Sequence, residues 1–329
     1  MAAVRSGSNV TDDRDIRVVA LAGGVGGAKL ADGLAMLLGA RLAVVVNTGD
    51  DFVHLGLHIS PDLDTVMYTL AGIANAQTGW GIAGETWNFM AQVERLGGPG
   101  WFRLGDRDLA IHAMRTQRLA EGATLTAVTA ELCTALQIAA AIIPMTDAPV
   151  RTMIRSGDLE LPFQDYFVRR ACADPVTSIR YVGADAAVPS PALDAIGPVE
   201  AIVIAPSNPY LSVDPILAIP AMRQWIASRC APVVAVSPLI AGAAVKGPAA
   251  KIMRELGQPA SAAAVAEHYR GLIDGIVIDD ADAGLRAEIA DLGIAVRVAP
   301  IVMRNGADRA ALAGLCLAFA RDLADDREA

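Results

Sequence analysis

Seven short apolar runs recur along the chain: IRVVALA (16–22), LAVVVN (42–47), AAIIPM (140–145), AIVIAP (201–206), PVVAVS (232–237), GIVID (275–279) and IAVRVAP (294–300). Several are continuously apolar rather than alternating, as expected for parallel strands covered on both faces. Helical patterns such as AKLADGLAMLLG and AVKGPAAKIMRELG separate most of them. The pattern predicts an α/β, Rossmann-like, mostly parallel open sheet with helices on both sides.

One stretch breaks the alternation. Residues 61–137 contain no strand pattern and read as four helical segments, PDLDTVMYTLAG, GETWNFMAQVERLG, DRDLAIHAMRTQRLAEG and TLTAVTAELCTALQ. The chain therefore divides into a first part of the Rossmann-like core (1–60), a helical insertion subdomain (61–139) and a second part of the core (140–329). Within 150–182, RTMIRS and TSIRYV can form an added β pair around LPFQDYFVRR. The terminal ADDREA is expected to fray.

Composition narrows the classes. Of 329 residues, 53% are apolar and only 5% aromatic, so a large core must be built from Ala, Val, Ile and Leu. The polar, acid-bearing start is unlike a secretory or transit segment. The run LQIAAAIIPM falls short of the roughly 18 residues a membrane span needs. Cys133, Cys172, Cys230 and Cys316 lie far apart without a C-x-x-C pair, which fits reduced thiols in a cytoplasmic protein. A net charge of −9 and no basic stripe with interleaved aromatics argue against nucleic acid. An acidic chain binds a phosphorylated ligand through glycine-loop amides, a few placed cations, or a carboxylate-held metal.

In an open parallel sheet, ligands lie beyond the carboxyl ends of the strands. Those ends read GGVGGAK, NTGDD, TDAPVR, SNPY, SPLIAG and DDAD. The first opens a helix, and Gly24, Gly26 and Gly27 permit close backbone approach to a phosphate or simply a tight strand–helix turn. It is neither G-x-G-x-x-G, since Lys29 takes the last glycine position, nor a P-loop. Asp50 and Asp51 in NTGDD exceed what one ribose requires. Asp62 and Asp64 follow in a first helical turn, where favouring the helix dipole by about 0.3–1 kcal/mol each is their plainest role. Together the two clusters can hold Mg²⁺ and orient a hydroxyl nucleophile. Ser207, Asn208, Lys29 and Lys246 are candidates for contacting phosphate.

Other features have competing readings. His54 and His58 have helical i, i+4 spacing for zinc, but FVHLGLH alternates like an extended segment, which favours packing. Asp106 is a candidate helix N-cap, which would leave Arg107 at the positive end of that helix, explicable if it faces an anionic ligand. Trp80, Trp87 and Trp101 either form the core of the insertion or offer a stacking surface.

Taken in order, LAGGVGGAK, NTGDDFVHLGLHISPDLDTVMYTLAG, GWGIAGETW, WFRLGDRDLAIHAMRTQRL, TDAPVRT, FQDYFVRR, APSNPYLSVDPILAIP, VSPLIAGAAVKGP and DGIVIDDAD resemble the 2-phospho-L-lactate transferase family of coenzyme F-420 biosynthesis, particularly its bacterial phosphoenolpyruvate transferase branch. The resemblance spans about residues 17–300. It implies transfer of a phospholactyl or phosphoenolpyruvyl group from a guanosine diphosphate-linked three-carbon acid donor to the deazaflavin precursor 7,8-didemethyl-8-hydroxy-5-deazariboflavin. GMP would leave, Mg²⁺ would be required, and the protein would be a homodimer. By motif, Asp64 and Arg107 match deazaflavin-binding positions. On this reading Asp50 and Asp51 hold metal, Asp62 or Asp64 positions the hydroxyl, and Asp64→Asn cuts turnover without unfolding. The chain departs from the family at Ala241–Gly242, Pro220–Ala221 and Gln137, where the family often has glycine pairs, Pro-Gly and glycine. The rival readings are an NAD-dependent oxidoreductase, which the missing third glycine disfavours, and a non-catalytic nucleotide-sugar-binding regulator of the same fold.

Overall fold

Apolar runs this short need neighbours on both edges and cover on both faces; the five central ones have both, while the two edge strands pair on one side only and the edge strand at Ala295–Val298 is only partly buried. The computed structural model describes residues 17–328. The polar start of the chain and Ile16 of the first predicted strand lie outside the described residues. Seven strands, β1 (Val18–Ala22), β2 (Leu42–Val46), β3 (Ala141–Pro144), β4 (Ala201–Ile204), β5 (Val233–Val236), β6 (Gly275–Ile278) and β7 (Ala295–Val298), form one sheet. Its order is β7-β6-β5-β4-β1-β2-β3 and every pairing is parallel. This is the Rossmann order with one strand added at an edge.

Alternate residues feed two separate cores. Val19, Leu21, Val45, Ile202, Ile204 and Ile276 join one, with Ile154, Met222, Ile252 and Val265 packed over them. Val18, Ala20, Val44, Val203 and Val277 join the other. That second face is covered by α1 (Gly24–Leu38), α2 (Pro61–Leu70), α5 (Leu125–Ala135) and the C-terminal helix Gly306–Glu328. Between α2 and α5 the chain forms α3 (Asn88–Arg95) and α4 (Asp108–Ala120). Ile59, Met90 and Leu104 make a small cluster of their own there, against Phe52, Phe102 and Leu109.

The expected β pair is present and larger than expected. Arg151–Ser156 pairs antiparallel with Ser178–Val182 on one side and with Leu159–Pro162 on the other. The third strand has four residues and a proline, too short to signal itself without its partner. The expected fraying is corrected. The C-terminal helix runs to Glu328, and Arg327 holds it through an ion pair with Asp274 and a hydrogen bond to the Cys230 carbonyl.

β1 and β4 are neighbours, but the chain leaves β1 into α1 on one face and leaves β4 toward the opposite core. The strand ends therefore part at the topological switch point, where such folds place their ligands. Glycine is required for the two exits to fit. A Cβ on Gly26 would sit 2.4 Å from the Pro206 carbonyl oxygen, and one on Gly27 2.6 Å from Ser207 Oγ.

Candidate active site

The carboxylate of Asp62 organises the switch point. It stands in the first turn of α2, after Ser60 and Pro61, and reaches back across the fold to the start of α1. Gly24 N–H donates to its Oδ1 (2.7 Å), and Asn47 Nδ2 donates to its Oδ2 (2.9 Å). Asn47 Nδ2 also donates to Asp50 Oδ1 (3.2 Å). The helix N-terminus that the sequence offers to a phosphate thus holds an internal carboxylate at its first amide. Burial raises the Asp62 carboxyl to about 6, against the pull of the Asn47 and Gly24 bonds. Burial, together with Asp62 and Asp51, raises Asp50 well above the carboxylate range. The charge of Asp64 raises Asp50 as well, by less than burial, Asp62 or Asp51.

Asp51 points to a different set of donors. Ser60 Oγ donates to Asp51 Oδ2 (2.7 Å), and His58 Nε2 lies 3.2 Å from the same oxygen. The other oxygen, Oδ1, is buried without a hydrogen-bond partner, as is Thr48 Oγ1. Burial raises the Asp51 carboxyl despite its two partners. His54 and His58 do not act as a pair. They lie in a hairpin of Phe52–His54 and Leu57–Ile59, directly cross-strand to other residues. His54 packs edge-on against Trp101 and Phe102.

Asp64 turns away from Asp62 into a buried network with α4. Arg115, fully buried, makes a bidentate pair with it: Nη1 donates to Oδ2 (3.2 Å) and Nη2 to Oδ1. His112 Nδ1 lies 3.6 Å from Asp64 Oδ2, and its Nε2 lies 3.3 Å from Asp108 Oδ1. Tyr68 OH donates to that same Asp108 oxygen. Burial alone would raise Asp108, but His112, Tyr68 and Arg115 bring it below its usual value. Asp64, Asp108 and His112 offer three ligand atoms within 4.8 Å of one another. A guanidinium already supplies the positive charge there, so this cluster is poorly suited to a further cation. Asp64→Asn therefore carries a stability cost that the sequence alone does not signal.

Lys29 and Lys246 are each held by a backbone carbonyl, and the charge of Lys246 is felt at Lys29. Lys29 Nζ donates to the Met303 carbonyl (3.0 Å). Burial, then Arg309, then Lys246 lower its ammonium below the usual lysine range. Lys246 Nζ donates to the Thr78 carbonyl (3.3 Å) and lies against Gly79, beside Val25 of the glycine loop. Ser207 Oγ donates to the Gly23 carbonyl (2.8 Å) and accepts from Gly23 N–H (3.2 Å). Asn208 Oδ1 caps the turn Pro209–Val213 by accepting from Tyr210 and Leu211, while its Nδ2 is buried with no partner.

The N-caps of the insertion are exchanged. Asp106, expected to cap its own helix, instead accepts from Asn88 and Phe89 N–H (both 3.0 Å) at the start of α3. Glu85 caps α4 in return, accepting from Arg107 and Asp108 N–H (2.7 and 2.8 Å). Local spacing cannot reveal caps that cross between helices about 20 residues apart. Arg107 is exposed and donates Nη1 to the Ala83 carbonyl (2.7 Å). Trp80 and Trp87 meet edge to face, with Arg103 stacked 4.3 Å over Trp87. Trp101 is separate, packed with His54, Phe52 and Arg169.

The donors of Asp50, Asp51 and Thr48 are of the type a hard divalent cation takes, although among the described residues the acidic group whose ligand atoms converge is Asp64, Asp108 and His112. The first three residues offer oxygens, and two of these, Asp51 Oδ1 and Thr48 Oγ1, are buried and uncommitted. Asn47, Ser60 and Arg115, none of them predicted, order the Asp50–Asp51 cluster together with His58, which the sequence favoured as packing. Asn47 immediately precedes TGDD in the sequence. Arg115 could be found only from its i+3 place after His112 on a helix face that must be buried.

Three comparisons bear on this arrangement. The family model described as 2-phospho-L-lactate transferase CofD matches residues 18–296. A phosphoenolpyruvate transferase of Kitasatospora aureofaciens is 43% identical over 317 residues, covering 94% of this chain and 99% of that protein. One from Streptomyces coelicolor is 42% identical over 316 residues, with the same coverage. Among solved structures, a UPF0052 family protein from Bacillus halodurans aligns with a TM-score of 0.58 over 92% of this chain and 99% of that one. At 15% identity it speaks to the fold alone. No helix among the described residues is long and apolar enough to cross a membrane. With a family match over residues 18–296 and relatives of 42–43% identity along 94% of its length, the chain belongs to the 2-phospho-L-lactate transferase CofD family.

Proposed function

We propose that this transferase of coenzyme F-420 biosynthesis moves a phosphoenolpyruvyl or phospholactyl group from a guanosine diphosphate-linked donor to the deazaflavin precursor 7,8-didemethyl-8-hydroxy-5-deazariboflavin. The terminal ribityl hydroxyl attacks the distal phosphorus, the bond from that phosphorus to the guanosine phosphate breaks, and GMP leaves. The three-carbon acid stays on the transferred phosphorus through its ester oxygen. The observation that carries the reading is the Asp50–Asn47–Asp62 chain at the switch point, beside the glycine turn.

Asp62, with its carboxyl near neutral pH, suits a group that orients the hydroxyl and receives its proton. Lys29 and Lys246, beside an α1 N-terminus whose first amide is engaged by Asp62, offer positive potential to the diphosphate. Arg107 and the Trp80–Trp87 pair suit the acceptor's ring system. Asp50 and Asp51, with Thr48, would hold Mg²⁺, which when bound neutralises diphosphate charge. Catalysis would be mainly positioning and charge stabilisation. The working protein is read as a cytoplasmic homodimer.

The test is mass spectrometry of the product formed from the deazaflavin precursor and competing lactyl and enolpyruvyl donors. One phosphodiester product carrying the three-carbon acid, with an equivalent of GMP, is expected. Binding of the precursor or of a nucleotide sugar without turnover would overturn the reading.

A further inference from the structure

His58 is gripped by α4 on both sides of its backbone. Its N–H donates to Thr116 Oγ1 (2.7 Å), and its carbonyl accepts from Arg115 Nη1 (3.4 Å). Thr116 Oγ1 itself donates to the His112 carbonyl (2.7 Å), which fixes the hydroxyl with a lone pair toward the hairpin. The imidazole then reaches Asp51 Oδ2, the oxygen that Ser60 Oγ also serves. One oxygen of Asp51 thus has two partners and the other has none. Thr48, Asp51 and His58 together line a cavity of 140 Å³. A side chain that served only to fill the hairpin would need no partner at Nε2 and no clamp at either end of its peptide unit.

We propose that His58 is a positioning residue: held by Thr116 and Arg115, it locks Asp51 through Oδ2 so that Oδ1, with Thr48 Oγ1, stays free for a divalent cation. This rests on the metal reading above. Helix α4 therefore sets the register of the metal ligands as well as pairing with Asp64. Orienting partners of this kind typically change metal affinity by about 10–100-fold when lost.

The test is a Mg²⁺ titration of the thermal midpoint of the whole protein without substrates, comparing the wild type with His58→Phe, His58→Gln and Thr116→Val. His58→Phe should raise the half-saturating Mg²⁺ concentration by about tenfold. His58→Gln, which can return a nitrogen donor to Asp51, should recover most of that loss. Thr116→Val should move it in the same direction by roughly threefold, and it serves if His58→Phe does not fold. The KM for the deazaflavin acceptor should stay unchanged in all three. Equal Mg²⁺ midpoints in wild type and variants would overturn the positioning role alone. A wild type whose midpoint ignores Mg²⁺ would overturn the metal reading and this inference with it.

Discussion

Asp50 and Asp62, 12 residues apart in sequence, accept hydrogen bonds from a single nitrogen, Asn47 Nδ2, at 3.2 and 2.9 Å. One neutral amide is asked to serve two buried carboxylates. Folding therefore takes both carboxylates out of water and, at Asp50, adds the repulsion of Asp62, a cost relieved by a proton or by a cation.

The first consequence is a pH-dependent instability. Asp62 has a folded value of about 6 against 3.8 for the free group, so its contribution to stability is fully present below about pH 3.8. It is lost as pH rises through about 6, a cost of roughly 3 kcal/mol for this group. Asp50 is raised in the same sense. Asp50→Asn keeps an oxygen for Asn47 and removes one charge. It should raise the thermal midpoint by about 3 °C at about pH 8, with little change at about pH 5, while abolishing turnover. Melting curves at the two pH values check this. A variant destabilised equally at both would show that repulsion is not what strains the site.

The second concerns Asp64 and Arg115. Either partner left alone is an uncompensated buried charge, so Arg115→Met and Asp64→Asn should each cost about 3–5 kcal/mol. The double variant should cost clearly less than their sum. Urea unfolding of the full cycle measures the coupling. Additive losses would mean that the two charges are not engaged with each other in the folded protein.

How much of this was legible follows from the range of each interaction. The central sheet strands could be read because a parallel strand covered on both faces must be continuously apolar, as in LAVVV, and the edge strand AVRV, which carries Arg297, by its place in the same strand–helix alternation. The switch-point glycines and acids were legible because strand ends carry function in this fold. Arg115 and Glu85 were not, because their partners Asp64 and Arg107 lie 51 and 22 residues away and no periodicity links them. The direction of Asp64 was equally hidden. Two carboxylates in one helical turn read as a pair, but Asp62 serves the glycine turn and Asp64 serves α4.

The third prediction uses the two departures that fall at left-handed backbone. Ala241 has φ 47° and precedes Gly242 at φ 76° in the turn between Leu239–Ile240 and Ala243–Ala244, a pattern that favours glycine at both places. Gln137 has φ 56° just beyond α5, where Ile138 N–H donates to the Cys133 carbonyl as in a Schellman cap. Both side chains are exposed, so little packing is lost by removing them. Ala241→Gly and Gln137→Gly should each raise the unfolding free energy by about 0.5–1 kcal/mol, with unchanged kinetics for Gln137→Gly. Chemical denaturation decides it. A loss of stability in both variants would mean that left-handed strain is not the governing cost there.

The last prediction concerns Lys29 and Lys246. Lys29 is half-buried, and burial, Arg309 and Lys246 all favour its neutral form. The positive charge it offers a diphosphate should therefore fade at a lower pH than for an ordinary lysine, whose value is about 10.4. KM for the guanosine diphosphate-linked donor should rise over an alkaline range that starts below the one in which an ordinary lysine loses its charge, while KM for the deazaflavin acceptor should not follow the same rise. Lys29→Arg keeps its charge throughout this range and should flatten the rise, even if its geometry weakens binding overall. Lys246→Met removes one repelling neighbour, so the rise should move to higher pH although binding is weaker at every pH. The shift distinguishes a field effect from simple loss of a contact, since a lost contact alone raises KM without moving its pH dependence. Steady-state kinetics across that range give the answer, and a Lys29→Arg profile that climbs in parallel with the wild type would remove Lys29 from donor binding.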